Sequence, residues 1–306
     1  MKTLAILLVL CAPAFADPQG SSEHARLELA PAGHAFKALQ IENPLGDVRV
    51  EGYDGNAIMI ETHKQAPDDD TLERLRVSLV PNPDGTVRIT TTADHSPESK
   101  PVSRSAVRID LVIRAPRNAH VDATVSSGKL EVSNMDGGGE LDSASGALSV
   151  HNLSGELVTS TVSGPTSLEQ VFGSVDAAAI SADVDLDTIA GERLIASANH
   201  GHIAGRRVRS REVELTTTEG NIMLEAEASL RGRLVVSSLR GDVEVHLHRH
   251  GAVFLRARGT KVDLGQQQTV HPQPSGWTEQ AFGQADHPAL VELRSTYGSV
   301  QFTVVE

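Results

Sequence analysis

A nine-residue glycine period constrains this chain more than any other feature. Gly128, Gly137, Gly146, Gly155, Gly164 and Gly173 follow one another at that interval, Ala182 takes the next slot, and Gly191 the one after. The alternate slots share a form: Ser126-Ser127-Gly128, Ala144-Ser145-Gly146, Val162-Ser163-Gly164. Small polar residues before glycine are turn chemistry, because glycine adopts positive φ without steric penalty. Two turns in every 18 residues predict a coil of two short strands, repeated.

The residues between the turns alternate as half-buried strands do. Two past alternate turns stand Leu130, Leu148, Thr166 and Val184, and four past stand Val132, Val150, Leu168 and Leu186. Seven past stand Met135, Leu153, Val171 and Ile189, while Val121, Ala123, Val175 and Ala177 occupy the preceding strands. When coils stack about 4.8 Å apart, each set becomes an inward ladder. A slip of one residue would turn every ladder outward, so the register is strongly specified. Gly201, Gly220, Gly241 and Gly259 continue the phase in slightly longer coils, with Ile203, Ile222 and Val243 on the first ladder. After residues 265–289, which read as a surface excursion rich in Gln and Pro, a last strand pair returns at Leu290–Leu293 and Val300–Phe302, around Gly298.

Before residue 119 the pattern loosens. Leu39 to Ile41, Gly46 and Val48 to Val50 resemble one coil, and Asn82-Pro83-Asp84-Gly85 between two apolar runs signals a hairpin. Asp68 to Leu75 fits one helical turn, and Ala106 to Ile113 another strand, closed by Pro116. Terminal repeats are expected to be irregular because they must blunt an open strand edge. The expected organisation is a signal peptide at 1–16, an N-terminal β cap with the first coils at 17–118, and solenoid repeats at 119–306. The fold class is all-β, a parallel β-solenoid. A β-sandwich with evenly spaced strands is the alternative, and the fixed spacing favours the solenoid.

The first residues explain the signal-peptide assignment. Lys2, an apolar run from Leu4 to Leu10 and the triplet Ala14-Phe15-Ala16 have the charge, length and small-x-small ending of a secretory leader. The run is shorter than the roughly 20 residues of a membrane-spanning helix. Cys11 could serve a lipoprotein leader, but Leu10 stands where a small residue is wanted. Cleavage after Ala16 would remove Cys11, the only cysteine, leaving no thiol for disulfides or thiolate zinc sites. The net charge of −13 argues against nucleic acid and anionic membrane surfaces, and the 3% aromatic content weighs against a lectin.

The chain resembles the bacterial putative-adhesin family of β-strand-repeat proteins, a domain of unknown function. Asn43-x-x-Gly46-x-Val48-x-Val50, Ile113-Arg114-Ala115-Pro116 leading into Val121–Gly128, the small-x-Gly turns, and Leu293 to Val300 carry the likeness across most of residues 39–304. The resemblance implies an exported, solenoid-like β fold with no agreed catalytic residue. Ala182 at a turn slot and the length of 265–289 depart from the pattern.

No catalytic, cofactor-binding or metal-ligating residue is singled out. No serine-protease order, phosphate loop or zinc-protease motif is found, and the repetition of the turn serines marks them as turn formers. His246, His248 and His250 fall on one strand face opposite Val243, Val245 and Leu247. Asp183, Asp185 and Asp187 form an outward row, with Glu169 expected one coil below Asp187 and Arg206 one coil above. Both clusters read first as solvated faces; the acidic row is the best foothold for calcium or for sugar-cleaving chemistry. Trp277, the only tryptophan, sits in the excursion as a candidate contact residue.

The expectation is an exported protein, periplasmic or extracellular and associated with the envelope, acting as an adhesin-like binding or structural module without catalysis or cofactor. Its partner would be an envelope protein or a surface glycan, with no transmembrane segment. A carbohydrate-active β-helix enzyme and an accessory protein of envelope stress sensing are the alternatives.

Overall fold

The computed structural model describes residues 7–9, 20–31, 35–94, 103–228, 231–265 and 276–305. Residues 1–16, expected to form a signal peptide, lie outside these except for the strand Leu7–Val9, which pairs antiparallel with Ser21–Leu29. The chain divides into two compact units, residues 1–149 and 150–306. Both are built from stacked coils of paired strands, so the fold is the nearly all-β, solenoid-like repeat that the glycine period predicts.

In the second unit one column of parallel strands runs Leu157–Ser163, Val175–Ser181, then the later halves of Val184–His200 and Ile203–Glu219, then Arg233–Arg240. A second column runs Thr166–Phe172, the first halves of the same two long strands, Ile222–Ala228 and Val243–Arg249. The register steps are whole coils, with Leu157 opposite Val175 and Val175 opposite Leu194. Inward ladders follow directly. Thr166, Val184, Ile203, Ile222, Val243 and Val300 form one buried row, and Ala177, Ala196, Leu215, Val236 and Leu293 form another on the facing column. Inward positions of both columns are thus filled mostly by buried aliphatic side chains.

The uneven step in the sequence ladder, two, four and then seven past the turn, has a backbone cause. Asn152, Gln170, Thr188 and Arg207 occupy one position in successive coils and all take the left-handed conformation, with φ of 55°, 56°, 57° and 53°. Each adds a residue that advances the chain without alternating, so the buried positions run Leu168, then Val171, instead of every second residue. The device stops after Arg207, and the pairing shifts register between Gly205 and Val208. Beyond it, Ile222, Leu224 and Ala226, and then Val243, Val245 and Leu247, are buried by plain alternation.

The last coil in sequence is not the last in space. Ala289–Ser295 and Val300–Val305 lie directly on Arg233–Arg240 and Val243–Arg249, while Val253–Arg258 and Val262–Asp263 lie on their far side. The expected excursion at 265–289 therefore contains structure: Thr278–Phe282 pairs antiparallel with Val253–Arg258 and covers its edge. The Phe282 ring sits 5.8 Å from that of Phe302, which is fully buried. Residues 266–275 lie outside the described residues.

The first unit has the same reordering. Ala38–Asn43 lies between Thr86–Ala93 and His120–Val125, and Val48–Tyr53 between Arg108–Pro116 and Leu130–Met135, all parallel. Two antiparallel strands cover the outer edges, Leu75–Pro81 on Thr86–Ala93 and Ile58–Ala66 on Arg108–Pro116. The expected hairpin is present, with the Asn82 N–H donating to Thr86 O at 2.8 Å and Gly85 at φ 93°. The expected helical turn is Asp69–Leu72, whose cap Asp68 accepts the Thr71 N–H.

The ladder predicts a sharp difference between neighbours in sequence. Leu186 is fully buried and Asp185 exposed. Urea unfolding should show Leu186→Ala losing about 2–5 kcal/mol and Asp185→Ser less than about 0.5 kcal/mol. Comparable losses would refute the register.

Candidate functional site

Three outward features of the second unit hold the chemically reactive side chains. The first is the acidic row. Asp187 is flanked in register by Glu169 on one side and Arg206 on the other, as the coil spacing predicts. The row is not an open carboxylate cluster, however. Asp187 takes a hydrogen bond from Thr188 Oγ1 at 2.8 Å, lies 3.5 Å from Arg206 Nε, and is bonded by Arg207 Nη2. Arg207 Nε also donates to Thr188 Oγ1 at 2.9 Å. The Thr188 hydrogen bond, reinforced by the two guanidinium groups, holds the Asp187 carboxyl below the usual carboxylate range. Glu169 pairs instead with His151 at 3.3 Å.

Asp183 belongs to a different system. It follows the turn slot of Ala182, and its Oδ1 accepts the His202 N–H at 2.7 Å from the coil above. His202 Nδ1 accepts the Asn221 N–H, Asn221 Oδ1 accepts the Asp242 N–H, and Asp242 Oδ1 accepts the Ser299 N–H, at 2.8–2.9 Å. Every member stands one residue past a turn, so the side chain of each coil caps the exposed amide of the next. The bonds from the Ser299 amide and hydroxyl hold the Asp242 carboxyl below its usual range. Sequence reading missed this ladder because its members share a position and the role of acceptor, not a residue type. Asp183 and Asp187, two members of the row that offered a foothold for calcium, are thus each bonded by a group of the neighbouring coil. No group of three or more metal-ligating side chains is present among the described residues.

The second feature is the histidine strand. His246 and His248 point outward from Val243–Arg249, opposite buried Val243, Val245 and Leu247. Each histidine of the cluster has its own carboxylate, which sequence alone did not identify. His246 Nε2 lies 2.9 Å from Glu244, His248 Nε2 lies 3.3 Å from Glu225, and His250 Nε2 lies 3.5 Å from Glu227. The second and third are diagonal pairs, since in register Glu225 stands opposite His246 and Glu227 opposite His248. Glu227 also receives Arg209 at 2.6 Å. Burial works to raise the Glu227 pKa, but Arg209 and His250 outweigh it and the net shift is downward. The His248 and His250 contacts cross from one coil to the next, while that of His246 stays within its own strand.

The third feature is Trp277. It is half-buried beside the edge strand, and the Arg256 guanidinium lies 4.9 Å from its ring centre. Arg256 Nε also reaches Glu279 at 3.2 Å. The ring is thus held against the coil by a cation–π contact. The turn serines and threonines are similarly committed. Thr217, Ser238 and Ser295 donate to the carbonyls of Gly201, Gly220 and Gly241 at 3.1, 3.0 and 2.7 Å.

This chain belongs to the Toastrack DUF4097 family, whose model matches residues 36–271. The match bears out the resemblance drawn from the turn motifs. No curated protein matches the chain. Among solved structures it is similar to a "putative lipid binding protein" from Parabacteroides distasonis ATCC 8503, with 11% identity, coverage of 93% of this chain and 97% of the other, and a TM-score of 0.43. It is also similar to a "putative adhesin" from Bacteroides fragilis NCTC 9343, with 12% identity, 92% and 97% coverage, and a TM-score of 0.38.

The Asp187 network predicts a pH signature. A depressed carboxylate pKa contributes stability above the ordinary aspartate range and loses it as pH falls through the folded value. Carboxyl NMR should find Asp187 titrating below the ordinary aspartate range, and Arg207→Gln should move it upward. The exposed pairing limits the stability loss of Asp187→Asn at neutral pH to about 1 kcal/mol or less. An Asp187 midpoint at or above the ordinary aspartate range would contradict the pairing.

Proposed function

We propose that this Toastrack DUF4097 protein is exported to the bacterial envelope and serves there as an adhesin-like binding or structural module without catalysis. The observation that carries the reading is the fate of the reactive side chains. Asp187, Glu169, Glu225, Glu227 and Glu244 are each engaged by an arginine or a histidine on the outward face. A general acid needs a carboxyl poised near neutral pH, and the arginines beside Asp187 and Glu227 help drive their carboxyls the other way. What the coils of each unit offer a partner is instead a regularly spaced outer surface. Export rests on the Lys2, Leu4–Leu10 and Ala14-Phe15-Ala16 pattern, with cleavage before Asp17.

Two measurements test this reading. Intact mass of the exported chain is expected to begin at Asp17; a lipid-bearing terminus at Cys11 would replace the leader assignment. Fractionation with a C-terminal tag should find the processed chain in the periplasm or on the cell surface. Retention in the cytoplasm, unprocessed, would overturn the proposal.

A further inference from the structure

The corner between the two strand columns changes shape at Arg231. In register, Val208 stands opposite Ala226 and Glu212 opposite Arg233, so the upper corner holds three more residues than the lower. Arg231 in this longer corner has φ 59°, a left-handed conformation uncommon for a residue with a long side chain. Beneath it opens a hollow of about 480 Å³ lined by Ser174, Glu192, Arg193, Arg211, Glu212, Arg231 and Arg233.

Four arginines against two glutamates make this hollow positive in a chain whose net charge is −13. The arginines are also poorly satisfied. The ion pairs Arg193–Glu212, Arg233–Glu212 and Arg211–Glu192 are 4.0, 3.7 and 3.7 Å long, beyond hydrogen-bond distance. Arg209, just outside the hollow, reaches Glu227 at 2.6 Å. Among the described residues, Arg231 has no carboxylate partner and none of the four guanidinium groups donates a hydrogen bond. Their forked donors are thus presented to whatever occupies the hollow, and such forks match the planar oxygens of carboxylate and the oxyanions of sulfate.

We propose that this hollow is a binding site for an oligosaccharide that carries carboxylate or sulfate groups. This deepens the envelope-module reading and rests on it. Arg193, Glu212 and Arg233 form one column along the stack. The two arginines therefore stand about 9.6 Å apart, two coil steps of about 4.8 Å. A chain whose anionic group recurs on alternate sugars meets both, while Glu192, Glu212 and Ser174 accept hydrogen bonds from its hydroxyls. A lone phosphate would leave most of the hollow unfilled.

Calorimetry on the full chain at low salt tests this with five probes: a heparin-derived hexasaccharide, a galacturonate hexamer, maltohexaose, a hexaglutamate peptide and inorganic phosphate. At least one acidic sugar should bind, more tightly than maltohexaose, hexaglutamate and phosphate, and binding should weaken with salt. Which acidic sugar binds distinguishes sulfate from carboxylate. Arg231→Gln/Arg233→Gln should lower that affinity about tenfold or more, while Arg88→Gln, on the first unit, leaves it unchanged. Unfolding transitions of both variants confirm that the fold survives, and should the double variant unfold, Arg193→Gln replaces it. Binding of neither acidic sugar, equal binding of hexaglutamate or phosphate, or equal loss in Arg88→Gln would overturn the proposal. A chain that still attaches to the envelope but binds no acidic sugar would refute the hollow and leave the envelope reading standing.

Discussion

Coils of this protein touch backbone to backbone at their corners, and that contact governs the rest of the structure. A Cβ placed on Gly146 would lie 1.5 Å from the carbonyl oxygen of Gly128, and one on Gly191 would lie 2.0 Å from that of Gly173. Gly201, Gly220 and Gly241 meet the same obstacle from the coil before them, each at 2.0 Å. Apart from Ala182, which keeps its Cβ in one slot, the period in the sequence is therefore the imprint of a steric column, since glycine alone lacks the atom that would collide. Hydroxyls just before the turns bond the glycine carbonyls, and the side chains just after them bond the next amides. Polar backbone that would otherwise be left without a partner at each corner is thereby satisfied from within the stack.

A stack held this way leaves open strand edges at its ends, and an open edge invites pairing with another chain. Both units meet the problem by taking coils out of sequence order and adding antiparallel strands. Thr278–Phe282 covers Val253–Arg258 in one unit, and Leu75–Pro81 covers Thr86–Ala93 in the other. This changes the meaning of residues 276–289, which act in part as an edge cover, with Trp277 pinned by Arg256.

The inner half of the fold was legible because it obeys one period. Leu130, Val132 and Met135, and Leu168 and Val171, are buried where the ladder put them, since register couples every inward residue to its neighbours. The left-handed residues behind the uneven ladder step escaped notice because Asn152, Gln170, Thr188 and Arg207 share a conformation and no chemistry. The order of the end coils was hidden for a related reason: periodicity says which residues face inward, not which coil lies on which. On the outer surface, the facing of Asp187 and His246 followed from alternation, but their partners did not. Arg207 bonds Asp187 through the extra corner residue, and His250 lies beyond its strand, so simple register places neither.

The corner contact is tested most directly by comparing alanine at two glycines of the second unit. Gly191 has no positive φ, so alanine there suffers only the collision with Gly173. Gly265 has φ +72° but nothing within 4 Å of its would-be Cβ, so alanine there suffers only backbone strain. Equilibrium unfolding should show Gly191→Ala losing more than about 3 kcal/mol, and Gly265→Ala about 1–2 kcal/mol. A Gly191→Ala variant as stable as the parent chain, or no less stable than Gly265→Ala, would contradict the steric column on which this account rests.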